Sequence, residues 1–187
     1  KLISGSILPG TDENIIEISN FMETAEYAVD QFMIDRNFSV SFLKQIHKEL
    51  FMGLPRWNLR KGKFREGDVQ IENANGYIFY PVKSGQEVSE AISELLKWYK
   101  KTNSWDPIVA ISAFHYQFEV IHPFEDGNGR IGRLLSILQL FDKNLLDYPI
   151  LDLSTWLRNR KHLYHQSFQK VTDQMDWNFQ IGVISAA

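Results

Sequence analysis

A short polar loop between two strongly apolar stretches is the feature that most constrains the fold of this chain. Apolar residues at helical spacing occupy positions 108–118 before the loop and 131–141 after it. The first stretch is apolar nearly all round, which is typical of a central, buried helix. The loop runs from His122 to Gly127, and a helix is predicted to begin at Asn128. The chain is therefore expected to hold a polar turn rigidly between two buried helices.

The amino end of the second helix has the composition of an anion site. Gly127 and Gly129 let the backbone turn sharply and let a ligand come close. The first N–H groups of a helix have no internal partners, and the helix dipole adds positive potential there. Arg130 and Arg133 lie on one side of the first turns and can reach the same anion. The stretch Gly127-Asn128-Gly129 with its two arginines therefore predicts a phosphate site.

Two further side chains suggest a reaction at this site. Asp126 places a carboxylate where phosphate alone would not favour one, and Mg²⁺ shared with the phosphates would explain it. His122 supplies a group that can take a proton near neutral pH. A tight interhelical turn, with arginines paired to Glu119, Glu125 or Asp126, is the alternative. Taken together, the residues predict phosphoryl or nucleotidyl transfer.

The composition limits the other classes of function. The chain has 187 residues, 44% hydrophobic and 23% charged, which is ordinary for one globular domain. The net charge of −3 gives no electrostatic footprint for nucleic acid. No apolar run approaches the ~20 residues that span a bilayer, and no secretory leader is visible. The absence of cysteine excludes disulfides and thiolate metal sites. A cytoplasmic protein without nucleic-acid or membrane partners is expected.

The other helices are also predicted from helical spacing. They cover residues 14–36, 39–51 with Ser39 as N-cap, 86–101, a stretch from Asp152 or Ser154 through Val171, and a last one from Trp177. Pro107 is predicted to occupy the first position of the central helix. Glycine and proline punctuate residues 53–87, which indicates a loop with a short hairpin. The fold class is therefore all-α, with about seven helices and one small β-hairpin.

Other polar residues are given structural interpretations. His47 has no suggested partner, and His115 is interpreted as a packed or hydrogen-bonded core histidine. His115 lies seven residues before His122, across a helix end, and this spacing does not suit a pair of metal ligands. A basic run is interpreted as a solvated face; it comprises Arg56, Arg60, Lys61, Lys63 and Arg65.

The stretch His122–Arg133 resembles the signature of the Fic family, His-x-Phe-x-(Asp or Glu)-Gly-Asn-Gly-Arg-x-x-Arg, at each specified position. Gly62-Lys63-Phe64-Arg65 is similar to a segment that precedes this motif in many members. The resemblance extends from about residue 39 to 180. It implies a Fic-type helical domain over residues 39–187, preceded by an N-terminal segment and helix, residues 1–38, as a regulatory region.

The resemblance implies a protein adenylyltransferase, which transfers AMP from ATP to a Ser, Thr or Tyr hydroxyl of a protein and releases pyrophosphate. His122 would be the base, and Asp126 would hold Mg²⁺. Phe124 would pack in the core and fix the loop. Arg133 would bind the terminal phosphate, and Arg130 would secure the phosphate end or the loop beneath it.

The resemblance assigns the remaining contacts as well. The N–H groups of Gly127, Asn128 and Gly129, with the Asn128 side chain, would cradle the phosphates. Tyr164 matches a tyrosine on the adenine side, although packing in the core is the alternative. Kinase members carry lysine at the position of Gly129, so glycine favours AMP transfer. Transfer of UMP or another nucleotide is the alternative.

A hairpin flap at about Asp68–Pro81 would dock the target protein by strand addition; an ordinary surface hairpin is the alternative. Many members carry an inhibitory glutamate that pairs with the second arginine, here Arg133. Ser4 stands where that glutamate would be in Ile3-Ser4-Gly5-Ser6, so strong auto-inhibition is not expected. A non-catalytic or self-modifying nucleotide-binding regulator remains the alternative function. A homodimer is compatible with the sequence, which does not determine the oligomeric state.

Overall fold

The structure is a computed structural model that describes residues 13–54, 59–69, 71–72, 78–79, 86–149 and 153–187. These residues form eight helices and two short strands, and the predicted all-α class is confirmed. No helix in these ranges is long and apolar enough to cross a membrane. The elements are α1 (Glu13–Asp35), α2 (Val40–Leu50), β1 (Ile71–Glu72), β2 (Ile78–Phe79), α3 (Gln86–Lys100), α4 (Pro107–Ile121), α5 (Asn128–Asp142), α6 (Leu153–Asn159), α7 (Lys161–Gln174) and α8 (Trp177–Ser185).

The chain divides into two compact units between Lys63 and Phe64. In the first unit α1 packs against α2. Asn20 of α1 is buried, and its Nδ2 donates to the carbonyl oxygens of Leu50 and Met52 at 3.2 and 2.7 Å. These bonds satisfy carbonyls that the carboxyl end of α2 leaves without helical partners. The hydroxyl of Ser39 accepts from the N–H of Phe42, so the predicted N-cap is confirmed.

The structural interpretation of His47 is also confirmed. The ring is fully buried, and its Nδ1 accepts from the N–H of Gly62 at 2.8 Å. The ring also packs against Phe51, with 5.0 Å between centroids. His47 therefore ties α2 to the loop that follows it inside the first unit.

In the second unit the central helix is α4, which packs against α3, α5 and α8. Its carboxylate cap Asp106 accepts from the N–H groups of Ile108 and Val109, and Pro107 occupies the first turn as predicted. Buried residues lie on every side of α4, including Ile111, Phe114 and Phe118. This burial explains the nearly continuous apolar sequence of the helix.

One predicted helix is two helices in the structure. The stretch expected to run unbroken through Val171 divides at Arg160 into α6 and α7, which raises the count from about seven to eight. The guanidinium of Arg160 lies over the Trp156 ring at 4.5 Å. A cation over an indole face is stabilising, and this contact closes the turn without glycine or proline. Helical spacing continues across the break, so the sequence pattern alone does not reveal it.

The strands β1 and β2 form an antiparallel pair in which Ile71 lies opposite Phe79 and Glu72 opposite Ile78. They fall within the predicted flap, Asp68–Pro81. Residues 70, 73–77, 80 and 81 of that flap lie outside the described residues. The segment around Ser4 also lies outside them.

Candidate active site

His122 ends α4 in a strained backbone conformation. Its φ and ψ are 50° and 62°, the left-handed region, and its N–H donates to the carbonyl of Phe118 at 3.0 Å. A residue with a β-carbon rarely adopts this conformation without support from its surroundings. The strain is located at the residue predicted to be the base.

One hydrogen bond determines which ring nitrogen of His122 carries the proton in the neutral form. Nδ1 lies 3.2 Å from the carbonyl oxygen of Glu119. Because a carbonyl only accepts, Nδ1 must be the donor, and Nε2 then carries the lone pair. Burial lowers the pKa of His122 below its ordinary value, and the charge of Arg65 adds to the lowering, whereas the bond to Glu119 and the charge of Asp126 oppose it. His122 is therefore a neutral base near pH 7 with Nε2 as its accepting atom.

Arg65 supports the strained backbone at His122. Its side chain is 1% exposed. Nε donates to the carbonyl of His122 at 2.8 Å, and Nη2 donates to the carbonyl of Ile121 at 3.2 Å. Its own N–H donates to the carbonyl of Pro123 at 2.9 Å, so three consecutive carbonyls are held by one residue. The interpretation of the basic run as a solvated face is therefore wrong for Arg65.

The same guanidinium reaches towards the strand pair. Nη1 of Arg65 donates to the carbonyl of Gly67 at 2.8 Å, four residues before β1. Arg65 thus joins the segment that leads into the predicted flap to the end of α4. The sequence signal for this role was Arg65 itself, at the end of the segment Gly62-Lys63-Phe64-Arg65.

Phe124 and Asn128 close the loop between α4 and α5. Phe124 is fully buried and packs against Phe64, so its predicted position in the core is confirmed. Asn128 is also buried. Its Oδ1 accepts from the N–H of Phe124 at 2.9 Å, and its Nδ2 donates to the carbonyl of Phe124 at 2.8 Å. The amide side chain is therefore directed into the loop, whereas the resemblance of the motif implied that it would help to hold the phosphates.

The backbone at the start of α5 has the geometry that an anion site needs. Gly127 precedes the helix with φ 83° and ψ 0°, a conformation that favours glycine. None of the described side chains caps the first N–H groups of α5. These donors and the helix dipole point out of the amino end of α5. A phosphate group would satisfy them.

Asp126 and Arg130 lie together at this end of the helix. The Oδ1 of Asp126 accepts from the N–H of Gly127 at 2.6 Å and lies 3.7 Å from Nη2 of Arg130. The Asp126 side chain is 43% exposed, so a ligand can reach it from solvent. The alternative interpretation of the motif, a tight interhelical turn, predicted that an arginine pairs with Asp126. The Arg130 guanidinium therefore lies beside the loop carboxylate.

The carboxylate of Asp126 could hold Mg²⁺ only together with ligands that the described residues do not supply. Among the described residues there is no group of three or more His, Asp or Glu side chains that could hold a metal ion. Mg²⁺ is commonly held by one or two carboxylates, with substrate phosphates and water completing the shell. Asp126 beside an anion site fits that mode. A cage made by the protein alone is excluded within the described residues.

Arg133 is directed back towards the amino end of α5. Its Nε donates to the hydroxyl of Ser154 in α6 at 2.9 Å. A β-carbon at Gly129 would lie 3.1 Å from Nη1 of Arg133, so the guanidinium passes close to that glycine. Arg133 makes no other hydrogen bond within the described part of the chain. The structure thus brings Arg133 to the turn that carries the uncapped N–H groups.

Tyr164, which is half-buried, belongs to a hydrogen-bonded chain that runs into the core. Its hydroxyl lies 2.8 Å from Nε2 of His115, whose Nδ1 lies 3.1 Å from the hydroxyl of Ser136. His115 is fully buried, and burial lowers its pKa to about 4, so the ring is neutral. The Tyr164 ring also packs edge-on against Phe168. The interpretation of His115 as a core histidine is confirmed, and Tyr164 has the contacts of the core-packing alternative.

The structure brings most of the predicted site residues together in one turn. His122, Asp126 and the backbone of residues 127–129 are adjacent in the loop, and Arg130 and Arg133 return to it from α5. Tyr164 is instead hydrogen-bonded to His115 of α4. Sequence reasoning missed the supporting roles of Arg65 and Ser154. Only the Gly62–Arg65 segment carried a signal for either of them.

Comparison with known proteins identifies the family. A model of the Fic/DOC family matches residues 37–140. A probable protein adenylyltransferase from Aquifex aeolicus is 31% identical over 143 residues, which cover 73% of this chain and 42% of that protein. The chain therefore spans less than half the length of this relative.

Solved structures agree on the fold. A Fic family protein from Desulfovibrio desulfuricans has a TM-score of 0.77 at 31% identity, covering 97% of this chain and 53% of that one. A Fic domain from Bartonella quintana with bound ADP has a TM-score of 0.57 at 13% identity, covering 95% and 87%, and shows the fold alone. Because the family model covers more than half of this chain, the chain belongs to the Fic/DOC family.

Proposed function

We propose that this chain is a protein adenylyltransferase, which transfers AMP from ATP to a hydroxyl side chain of a target protein. The observation that carries the proposal is the juxtaposition of a neutral histidine base with an uncapped helix start. His122 holds its proton on Nδ1 through the carbonyl of Glu119, and α5 begins without a side-chain cap. A nucleophile and a phosphate group can meet between these two features.

The reaction follows from the roles of these groups. A target hydroxyl donates its proton to Nε2 of His122 as its oxygen bonds to the α-phosphorus of ATP. The bond from the α-phosphorus to the bridging oxygen breaks, and pyrophosphate leaves. The N–H groups at the start of α5 stabilise the negative charge on the phosphates. Arg133 binds the terminal phosphate, and Arg130 holds the loop through Asp126.

Asp126 is the residue that would hold Mg²⁺ in this site. When bound, the ion neutralises charge on the phosphate oxygens. The exposed carboxylate beside the start of α5 supports this assignment. The named relative from Aquifex aeolicus supports the adenylyltransferase class, and ADP in the Bartonella quintana structure supports a nucleotide site in this fold.

The division into a regulatory segment, residues 1–38, and a catalytic domain, residues 39–187, is part of the proposal. The family match, which begins at residue 37, supports it. The target protein docks on the strand pair at about Asp68–Pro81 by strand addition. The antiparallel pair β1–β2 and the bond from Arg65 to Gly67 support this position for the target.

Labelling with ATP tests the transfer. ATP tagged on the α-phosphate or on the γ-phosphate is incubated with Mg²⁺ and a lysate of the source organism. Wild type, His122→Ala and the control His162→Ala, an exposed histidine, are compared. Protein-bound α-label that requires His122 but not His162 is expected. Label from the γ-phosphate alone would indicate a kinase and contradict the proposal.

The regulator alternative predicts nucleotide binding without label on other proteins. Separating the labelled proteins by gel electrophoresis distinguishes this alternative from transfer to a target, because self-modification labels only a band of the enzyme's own mass. Replacing ATP by UTP with an α-label tests the choice of nucleotide. Ser4→Glu tests the inhibitory segment, since a restored glutamate that pairs with Arg133 would reduce labelling. Equal labelling of Ser4→Glu and wild type would remove Ser4 from that role.

A further inference from the structure

Glu119 is a buried carboxyl group that the proposed mechanism does not use. It lies in the last turn of α4, and its side chain is 8% exposed. Its Oε1 has no hydrogen-bond partner among the described residues. Burying a polar atom without a partner is costly, and such atoms are few in native proteins. The cost indicates that this carboxyl group has a role beyond packing.

The carboxyl group of Glu119 occupies the space beside Gly132 in α5. A β-carbon at position 132 would lie 2.3 Å from Oε1 of Glu119 and 3.2 Å from Cδ1 of Phe118. No real β-carbon approaches an atom that closely, so Glu119 in this position requires glycine at 132. The two residues form a matched pair across the α4–α5 contact.

The groups that act electrostatically on Glu119 belong to three helices. Arg133 of α5 follows Gly132 directly; burial raises the pKa of Glu119 to about 7, and the charge of Arg133 opposes that rise. Burial raises the pKa of Tyr164 in α7, and the charge of Glu119 adds to that rise. His115 lies one turn earlier on α4 and is neutral. Arg133 is therefore the one cation that acts on Glu119 from these elements.

Among the residues that the structure describes, Arg133 is held by one hydrogen bond. Its Nε donates to Ser154 in α6. This bond does not by itself fix the orientation of the two terminal nitrogens, Nη1 and Nη2. The carboxylate on α4 supplies an attractive field from the opposite helix. A long flexible cation needs such support to be preorganised for a ligand.

We propose that Glu119 is a positioning residue for Arg133: seated against Gly132, its carboxylate orients the guanidinium that binds the terminal phosphate of the nucleotide. The inference rests on the proposed nucleotide site. Glu119 itself touches neither the phosphates nor the reacting atoms. Gly132 takes part because it leaves room for the carboxylate.

Nucleotide affinity in the absence of transfer tests the inference. Dissociation constants of ATP and AMP are measured by calorimetry in a His122→Ala background, which prevents turnover. Glu119→Gln keeps the shape and removes the charge. It should weaken ATP about 5- to 20-fold and leave AMP within about 2-fold. Glu87→Gln, an exposed glutamate of α3, should change neither constant.

Three outcomes of these binding measurements overturn the inference. A carboxylate that only repels phosphate would make Glu119→Gln bind ATP more tightly than wild type. A merely structural residue would weaken ATP and AMP equally. The double variant Glu119→Gln/Arg133→Ala should bind ATP as weakly as Arg133→Ala alone, because Glu119 acts through Arg133. Additive losses would show that it does not.

Gly132 provides a second measurement should Glu119→Gln fold poorly. Gly132→Ala should weaken ATP and lower Tm in the wild-type background. In Glu119→Ala/Gly132→Ala the new methyl group enters the vacated space, so Tm should recover while ATP affinity does not. A recovery of ATP affinity would overturn the role of the carboxylate.

The pH dependence of the affinity ratio provides a further measurement, made on wild type and on Glu119→Gln. As pH rises from 6 to 8, Glu119 loses its proton, and the preference for ATP over AMP should increase in wild type. The terminal phosphate titrates equally in Glu119→Gln, which is therefore the control. Equal profiles in the two proteins would overturn the inference.

Failure of the inference and failure of the proposed function can be told apart. If wild type prefers ATP over AMP and Glu119→Gln does so equally, only the role of Glu119 fails. If Glu119→Gln shows the expected loss but no α-label is transferred, only the transfer proposal fails. If wild type binds ATP and AMP equally, the phosphate role of Arg133 and the inference both fail.

Discussion

The Nε atom of Arg65 lies 2.8 Å from the carbonyl oxygen of His122, and this bond joins a buried guanidinium to the strained end of α4. The same side chain also holds the carbonyls of Ile121 and Gly67. A planar guanidinium can serve several carbonyls at once because its donors diverge in a fixed fork. Arg65 is thus the residue through which the backbone around His122 is kept in place.

Arg65→Lys should reduce AMP transfer by about 10- to 100-fold, since small displacements of a catalytic group are costly. Lysine keeps the charge but cannot reach the three carbonyls with one ammonium group. The KM for ATP should stay within about 2-fold, because the amino end of α5 is untouched. Lys63→Met, an exposed position nearby, is the control. Steady-state labelling of a target peptide measures both constants, and an unchanged rate would contradict the role of Arg65.

The pH profile of transfer should rise with pH and level off early. His122 acts as a base only when neutral, and burial and the charge of Arg65 place its pKa below the ordinary value. The rising limb should therefore be centred below about pH 6.5, the usual value for histidine. Initial rates between pH 5 and 8 measure it. A limb centred above pH 7 would contradict this electrostatic account.

Arg65→Met provides an internal check on that profile. Loss of the cation removes one cause of the lowered pKa of His122, so the limb should shift to higher pH. Arg65→Lys, which keeps the charge, should shift it less. Two variants that lower the rate but share the wild-type profile would indicate a purely structural effect.

Asn128→Ala should destabilise the protein in the absence of any nucleotide. The amide holds both the N–H and the carbonyl of Phe124, and its removal takes both of these bonds away from a buried loop. The expected loss is about 2–4 kcal/mol. Asn178→Ala, an exposed asparagine of α8, should have no effect. A phosphate contact by the Asn128 side chain predicts the opposite pattern, with ATP affinity lost and the free energy of unfolding unchanged.

Tyr164→Phe distinguishes adenine binding from core packing. The variant loses the bond between the hydroxyl and Nε2 of His115, which should cost about 1–2 kcal/mol of unfolding free energy. ATP affinity should stay within about 2-fold. Tyr148→Phe, which is 74% exposed, is the matched control. A loss of ATP affinity without a change in stability would restore Tyr164 to the adenine side.

The sequence predicts the fold well where one physical signal dominates. Apolar spacing locates the helices, and Ser39 and Pro107 mark two of the starts correctly. The break at Arg160 is missed because spacing continues across it. The Asn128 side chain is assigned to phosphate because a polar side chain at a helix start can bind either a ligand or the preceding loop, and the sequence does not show which. Arg65 is missed because a run of basic residues does not reveal which member is buried.

The sequence predicts the residues of the site that lie within the motif, but not the residues that contact them from other helices. The motif identifies His122, Asp126 and the predicted phosphate site, Gly127–Gly129, by chemistry and spacing. Contacts between distant segments are not encoded in that spacing. Ser154 and Glu119 act on Arg133 from two other helices, and only the packing of α4, α5 and α6 reveals them. Local signals thus locate the chemistry, and tertiary contacts determine how it is supported.

Glu119 and His115 should give opposing pH dependences of stability. Burial lowers the pKa of His115 to about 4, so between pH 6.5 and 4 the unfolded chain binds a proton that the folded chain does not. Stability contributed by His115 is therefore present above pH 6.5 and lost on acidification, by about 3 kcal/mol. Burial raises the pKa of Glu119 to about 7, so between pH 7 and 4.5 the folded chain binds the extra proton.

Acidification over that window should therefore stabilise the folded state through Glu119 by about the same amount, and the two effects should largely cancel in wild type. Glu119→Gln removes one of them, so its free energy of unfolding should fall by about 3 kcal/mol relative to wild type between pH 7 and 4.5. His115→Gln should show the opposite slope. Urea denaturation from pH 4.5 to 8 measures all three proteins. Parallel curves would mean that neither buried group titrates with the shift that its surroundings require.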